Sequence, residues 1–411
     1  MSTGTGADPV VRAASAVAGG PDGAHLAPGR WGPVPLLVLG STASVALAVL
    51  AQQHCRATGW ASPDQFTHAC YSDVPALVAT GGAAGQPPGT ALVLSALAAV
   101  TSTPLGAFDL AAVLLAAVLA VGVACLARVA ARPGTAALLA LSPVLVTASL
   151  VSLDLVAATA LAAAMLAWSR RHPASAGALV ALAASVRPVA GLVAGALVLD
   201  AVRARRARET GPLLAAAVAA TAAVGLLARL VPGTQGATWA AGLDAGAGYG
   251  SLWLLPSLAG RPLPPGAVPV LAVIGLAVVV AGAVALALRG RRPASPAATA
   301  LLLVAGALVL SPSVPVQATL VVLPLAALAV PRWSAHLPWA AAEVAYAVGT
   351  WLYLYGTSTP DRALPAWAYG ALLVLRLAAL ASLVVRALRV PVQQGPEPAW
   401  GRAEREAPRS R

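Results

Sequence analysis

An all-α polytopic bundle of about 11–13 membrane helices, short hairpins included, is the fold this sequence predicts. Three observations carry that expectation. Hydrophobic residues make up 59% of the 411 positions and charged residues only 10%, against about 25% charged in an ordinary soluble domain. Runs such as Leu110 to Leu126, Leu213 to Leu230 and Val268 to Leu288 are long enough to cross roughly 30 Å of hydrocarbon as helices. Arginines gather between the runs, as positive residues do at the cytoplasmic ends of spans.

Taken in order, residues 1–30 read as a Gly-, Ala- and Pro-rich disordered cytoplasmic tail without a signal peptide's features. Residues 31–390 form the membrane domain, and 391–411 a second disordered cytoplasmic tail. The first span, about Val34 to Ala51, delivers a first outer loop, 52–87. Pro88 to Thr101 breaks the parity of the arginine count and reads as a re-entrant or interfacial segment. Ala136 to Ser149 pairs with Leu153 to Trp168, and Ala174 to Ala184 with Val189 to Ala201. The second pair is interrupted at Arg187–Pro188, since proline cannot continue helical hydrogen bonding. Leu213 to Leu230 leads to a second outer loop, 232–265, and Val268 to Leu288 returns. Ala297 to Leu310 pairs with Ala318 to Val330, and Trp339 to Tyr355 with Trp367 to Leu388 across a loop bearing Asp361. Trp31, Trp168, Trp333 and Trp367 fall at span ends, where interfacial anchors belong.

The charge excludes more than it suggests. The net +12 comes from 26 arginines and no lysine, placed at span ends, so nucleic-acid binding does not follow from it. Cysteine is used three times, too few for a metal cage, and no divalent-metal site or cofactor is read from the chain. Cys55 and Cys70 share the first loop and are a disulfide candidate if that loop is extracytoplasmic. Cys125 lies inside a span as inert packing.

Only 14 residues are acidic, and a carboxylate beside a span is costly to keep without a role. The topology gathers the unusual polar groups on one side. His68, Tyr71 and Asp73 lie in the first outer loop, Asp154, Arg187 and Gln317 at three hairpin tips, and Tyr249, Ser251 and Trp253 in the second loop. Carboxylates near a cation suit an anionic, lipid-linked substrate and a general base. Other roles stay open. Asp154 can simply cap the following helix or form a structural ion pair with Arg187. Asp73 can be a solvated loop acid, and His68 and Gln317 can be loop packing.

The stretch His68-Ala-Cys-Tyr-Ser-Asp73 resembles the first-loop signature of the family 87 glycosyltransferases, multi-span enzymes of the GT-C class. Ser142 through Asp154 followed by Trp168-Ser-Arg-Arg171, then Ala176 to Pro188, Gly250-Ser-Leu-Trp253, and Gln317 with Leu323 to Leu328 extend the similarity over roughly Val34 to Leu388. The resemblance implies an inverting hexosyltransferase that takes a sugar, commonly mannose, from a polyprenyl-phosphate donor to an extracytoplasmic lipid or glycan acceptor. Its implied setting is the cell membrane, with both termini cytoplasmic and the active site outside. Its implied partners are the lipid-linked donor, the acceptor and membrane lipids. On the matching positions, Asp73 takes the role of base that deprotonates the acceptor hydroxyl. Arg187 stabilises the leaving phosphate, Asp154 orients Arg187 or the acceptor, and Tyr71, His68, Trp253, Tyr249 and Gln317 line the substrate site.

Some positions depart from the family pattern. Gln86-Pro87-Pro88 replaces Glu-Tyr-Pro, Ser152-Leu153-Asp154 replaces Asn-Trp-Asp, and Arg187 stands where lysine is usual. Ala318 and Val321 replace aromatic residues near Gln317. Such losses fit an altered acceptor or a catalytically degenerate scaffold. A transporter or flippase is the other alternative, because a broken helix suits a midplane binding site. No internal repeat supports it.

Overall fold

The computed structural model describes residues 8–19, 33–240, 246–264, 266–289, 294–356, 358–359 and 362–389. Trp31, Asp361 and the tail 391–411 lie outside them. Among the described residues the secondary structure is entirely helical, and the fold is an all-α polytopic bundle.

In chain order the helices are α1 Pro9–Gly19, α2 Pro33–Ala51, α3 Gln53–Thr58, α4 Asp64–Thr67, α5 Asp73–Thr80, α6 Pro88–Val100 and α7 Pro104–Val129. There follow α8 Ala137–Ala140, α9 Val144–Ala148, α10 Asp154–Ser169, α11 Pro173–Val186, α12 Leu192–Arg203 and α13 Thr210–Leu230. The rest are α14 Leu254–Leu258, α15 Ala267–Arg289, α16 Pro296–Leu310, α17 Val322–Ala329, α18 Trp333–Tyr355 and α19 Ala366–Arg389. Five helical segments are long and apolar enough to cross a membrane: Pro33–Ala51, Pro104–Val129, Ala207–Leu230, Ala267–Leu288 and Ala366–Arg389. The second of these, α7, packs between α2 and α10, α10 packs against α11, and α11 against α13. Small residues set that closeness. A Cβ at Gly177 on α11 would overlap the Leu213 carbonyl, so only glycine lets α13 approach there.

Several expectations need correction. Residues 9–19 are helical, not part of a disordered tail. Asp8 accepts from the Val10 N–H (3.0 Å) at the start of α1 and from the Ser334 N–H (3.2 Å) at the start of α18, which docks this helix on the bundle. The segment Ala136 to Ser149 is not one helix but a 3-10 turn, Pro133–Ala136, followed by α8 and α9. Pro143 has no N–H to offer the preceding turn. Where the helix breaks, the Ala140 carbonyl accepts from Ser44 Oγ on α2 (2.8 Å), and the Ser142 hydroxyl meets His336 Nε2 (3.0 Å). Broken backbone is tolerated here because the polar groups at the break find side-chain partners inside the bundle. Ala318 to Val330 likewise begins as 3-10 helix, Val316–Val321, before α17.

Trp168 is not an interfacial anchor. It is 4% exposed, its indole N–H donates to Asp200 (2.9 Å), and the Arg206 guanidinium lies 5.2 Å over its ring. Trp367, at the start of α19, is 76% exposed. The Pro88 segment forms α6, 13 residues long, which rises about 20 Å and falls short of the hydrocarbon thickness.

Candidate active site

The first loop is built to aim one carboxylate. Cys55 and Cys70 form a disulfide that ties α3 to the strand of chain entering α5. Ser72 caps α5, accepting from the Val74 N–H (3.4 Å) and donating to the Leu150 carbonyl (2.7 Å). The Asp73 N–H donates to the Val151 carbonyl (2.7 Å). The start of α5 is thereby pinned to the turn that leads into α10, and Asp73 faces Asp154.

Arg187 reaches the same point from the other side. It ends α11 with an extended backbone (φ −133°, ψ 100°), as the residue before a proline must. Its Nε and Nη2 donate to the two oxygens of Asp154, at 2.7 and 2.5 Å. This is the two-pronged guanidinium–carboxylate geometry that fixes orientation as well as charge. Asp154 is 1% exposed and Arg187 22%. The Asp154 side chain makes no cap to α10, so the capping role falls away; its second partner is the Ser152 hydroxyl (2.7 Å). Arg187 Nη1 has no acceptor among the described residues, and Arg187 lines the cavity described next.

Asp73, Asp154, Arg187 and Gln317 line one polar cavity of about 240 Å³, together with Gln86, Thr90, Ser152 and Ser313. Tyr71 donates to Asp73 Oδ1 (2.7 Å) and Gln317 to Oδ2 (3.2 Å). Burial pushes the Asp73 carboxyl above its ordinary range; the Tyr71 hydrogen bond and the Arg187 charge oppose that rise, and Asp154 adds to it. A carboxylate raised in this way is a better proton acceptor than a solvated one. Tyr71 itself is raised, by burial first and by the adjacent Asp73 charge second, so it stays a donor.

The cavity meets an apolar groove of about 500 Å³ at Arg187, Pro188, Ser313 and Pro315. Leu192, Pro269, Val273, Leu276 and Leu308 of α12, α15 and α16 line its length, with Trp239 beside it.

The sequence model of glycosyltransferase family 87 matches residues 86–312, more than half of the chain. The chain belongs to that family. No curated protein and no solved structure matches it. The matched stretch of this family 87 glycosyltransferase holds Asp154 and Arg187 but ends short of Gln317 and starts after Asp73. Folding, not sequence proximity, brings those two residues to the cavity.

The remaining sequence-predicted residues sit elsewhere. Tyr71 stands behind Asp73 in a three-ring cluster, stacked on Phe66 and tilted against Trp351. His68 stacks on His54 in the first loop, away from the cavity. Tyr249 packs edge-on to Tyr353, and the Trp253 indole donates to the Leu310 carbonyl (2.9 Å). The sequence reading missed Thr90, Ser313 and Trp239, and with them a buried pair inside the bundle. Arg376 Nε donates to Glu343 Oε2 (2.9 Å), both residues being 3% exposed or less. Charges in the middle of spans were the signal that could have found it.

Proposed function

We propose that this family 87 glycosyltransferase is an inverting hexosyltransferase of the GT-C class. Its donor is a polyprenyl-phosphate sugar, with mannose the first candidate, and its acceptor an extracytoplasmic lipid or glycan. The observation that carries the proposal is a polar cavity holding a carboxylate and a guanidinium, continuous with an apolar groove. That pairing suits a substrate with a charged phosphate head and a hydrocarbon tail.

Asp73 takes the proton of the acceptor hydroxyl as its oxygen attacks the anomeric carbon. The bond from that carbon to the phosphate oxygen breaks, and polyprenyl phosphate leaves with the electron pair. Arg187 offers N–H groups to the developing phosphate charge. Asp154 holds the guanidinium in place, and Gln317 and Tyr71 hold the Asp73 carboxylate. The groove between α12, α15 and α16 takes the isoprenoid chain. The first loop lies outside the membrane and the termini inside.

Purified protein supplied with polyprenyl-phosphate mannose and a lipid extract as acceptor source tests the proposal. One polyprenyl phosphate released per sugar transferred is the expected result. Donor left intact with every polyprenyl-phosphate hexose and acceptor extract offered removes it.

A further inference from the structure

Three side chains of the first loop converge away from the cavity. His54 Nε2 lies 2.5 Å from Asp64 Oδ2, and His68 Nδ1 lies 3.2 Å from Asp64 Oδ1. The donor atoms of all three fall within 4.8 Å of one another. The imidazole rings stack 3.5 Å apart and nearly parallel, each turning a nitrogen toward the same carboxylate. Bonds of about 2.0–2.2 Å to a tetrahedral ion set neighbouring ligand atoms roughly 3.3 Å apart; His68 already stands at that spacing from Asp64 at 3.2 Å, and His54, at 2.5 Å, must draw back to admit the ion.

We infer that His54, Asp64 and His68 form a divalent transition-metal site of the zinc class. Two imidazoles and one carboxylate suit zinc, cobalt or nickel rather than magnesium or calcium. The side chains are 37–46% exposed, so water completes the coordination. The framework is held from both sides: Cys70 follows two residues after His68 and is bonded to Cys55, next to His54. Arg56 on α3 pairs with Asp109 of α7. Phe66, between two of the ligands, stacks on Tyr71 and Trp351. The ion therefore clasps α3 to α4, and through Phe66 it steadies Tyr71, the partner of Asp73. Binding at this site is independent of the sugar-transfer reading.

Full-length protein carrying a tag without histidine, stripped with chelator and kept in detergent, is titrated with Zn²⁺ against a chromophoric chelator. One equivalent per chain is expected, with a matching rise in Tm. His54→Ala, Asp64→Asn and His68→Ala are each expected to weaken it by more than the roughly 10–100-fold that loss of an outer-sphere partner costs. His172→Ala, at an exposed histidine, is expected to leave it unchanged. Gel filtration and the intact Cys55–Cys70 bond identify folded variants. Wild-type protein that binds no more zinc than the His54→Ala/His68→Ala double variant, or that loses it equally to His172→Ala, overturns the site.

Discussion

Arg187 and Asp154, 33 residues apart in sequence, meet through two parallel hydrogen bonds in the wall of the polar cavity. Two features of the chain produce this contact. Pro188 stops α11 so that Arg187 stands at its end, and the turn before α10 presents Asp154 from the opposite side. On the proposed function the pair has two roles, a structural contact and the holder of the guanidinium that meets the phosphate. Asp154 occupies one edge of the guanidinium and leaves Nη1 unpaired among the described residues.

Substitutions at Arg187 should separate these roles. Arg187→Ala leaves Asp154 buried and uncompensated, a change that costs about 3–5 kcal/mol where a buried pair loses one partner. Arg187→Lys keeps the charge and loses the fork. Its Tm should fall by less than that of Arg187→Ala, while kcat drops by roughly 10²–10³, the usual effect of losing a donor to a developing anion. Thermal unfolding in detergent beside initial rates checks both.

The Tyr71–Asp73 hydrogen bond should be visible in the pH profile. Asp73 must be ionised to accept a proton, so activity falls as pH drops through its pKa. Burial has already raised that value, and the Tyr71 bond holds it back. Tyr71→Phe removes the restraint, so the acid limb of kcat/KM should move to higher pH. An acid limb that stays in place, or moves down, disconnects Asp73 from the rate.

The Glu343–Arg376 pair anchors the segment that carries Gln317. Arg376 also donates to the Val314 carbonyl (3.2 Å), and Trp339 donates to Glu343 (3.2 Å). Gly250, at φ +76°, lies so close that a Cβ there would strike the Val314 carbonyl. The segment leading to Gln317 is thus fastened between α18, α19 and the 249–253 loop. Glu343→Gln leaves Arg376 without its counter-charge and should cost about 3–5 kcal/mol. Glu343→Leu combined with Arg376→Met should recover part of that loss. Tm values of the single and double variants decide it.

Much of this was legible in the sequence, for identifiable reasons. The long apolar helices followed from hydropathy, and the break at Arg187–Pro188 from proline chemistry alone. Asp73, Asp154, Arg187 and Gln317 were singled out as polar groups in an apolar chain, and they share one cavity. Tyr249, Trp253 and His68 carried the same signal, yet loop packing turned their rings to other partners. Pattern along the chain does not encode that turn. The Ala136 to Ser149 segment misled because its composition apart from Pro143 is helical; the Ser44 and His336 contacts that satisfy the break come from residues distant in sequence. Trp168 misled because an aromatic ring at a helix end reads the same whether it meets lipid or a buried Asp200.

Whether Asp73 is the proton acceptor is decided by sugar transfer from a polyprenyl-phosphate donor, measured for wild type, Asp73→Asn and Asp73→Glu at equal folded concentration. Asp73→Asn keeps the size and the Tyr71 and Gln317 neighbours but cannot take a proton. Its kcat should fall by roughly 10²–10⁴, the usual share of a positioned base, with donor binding retained and Asp73→Glu recovering part of the rate. Transfer by Asp73→Asn at the wild-type rate would remove Asp73 from the chemistry.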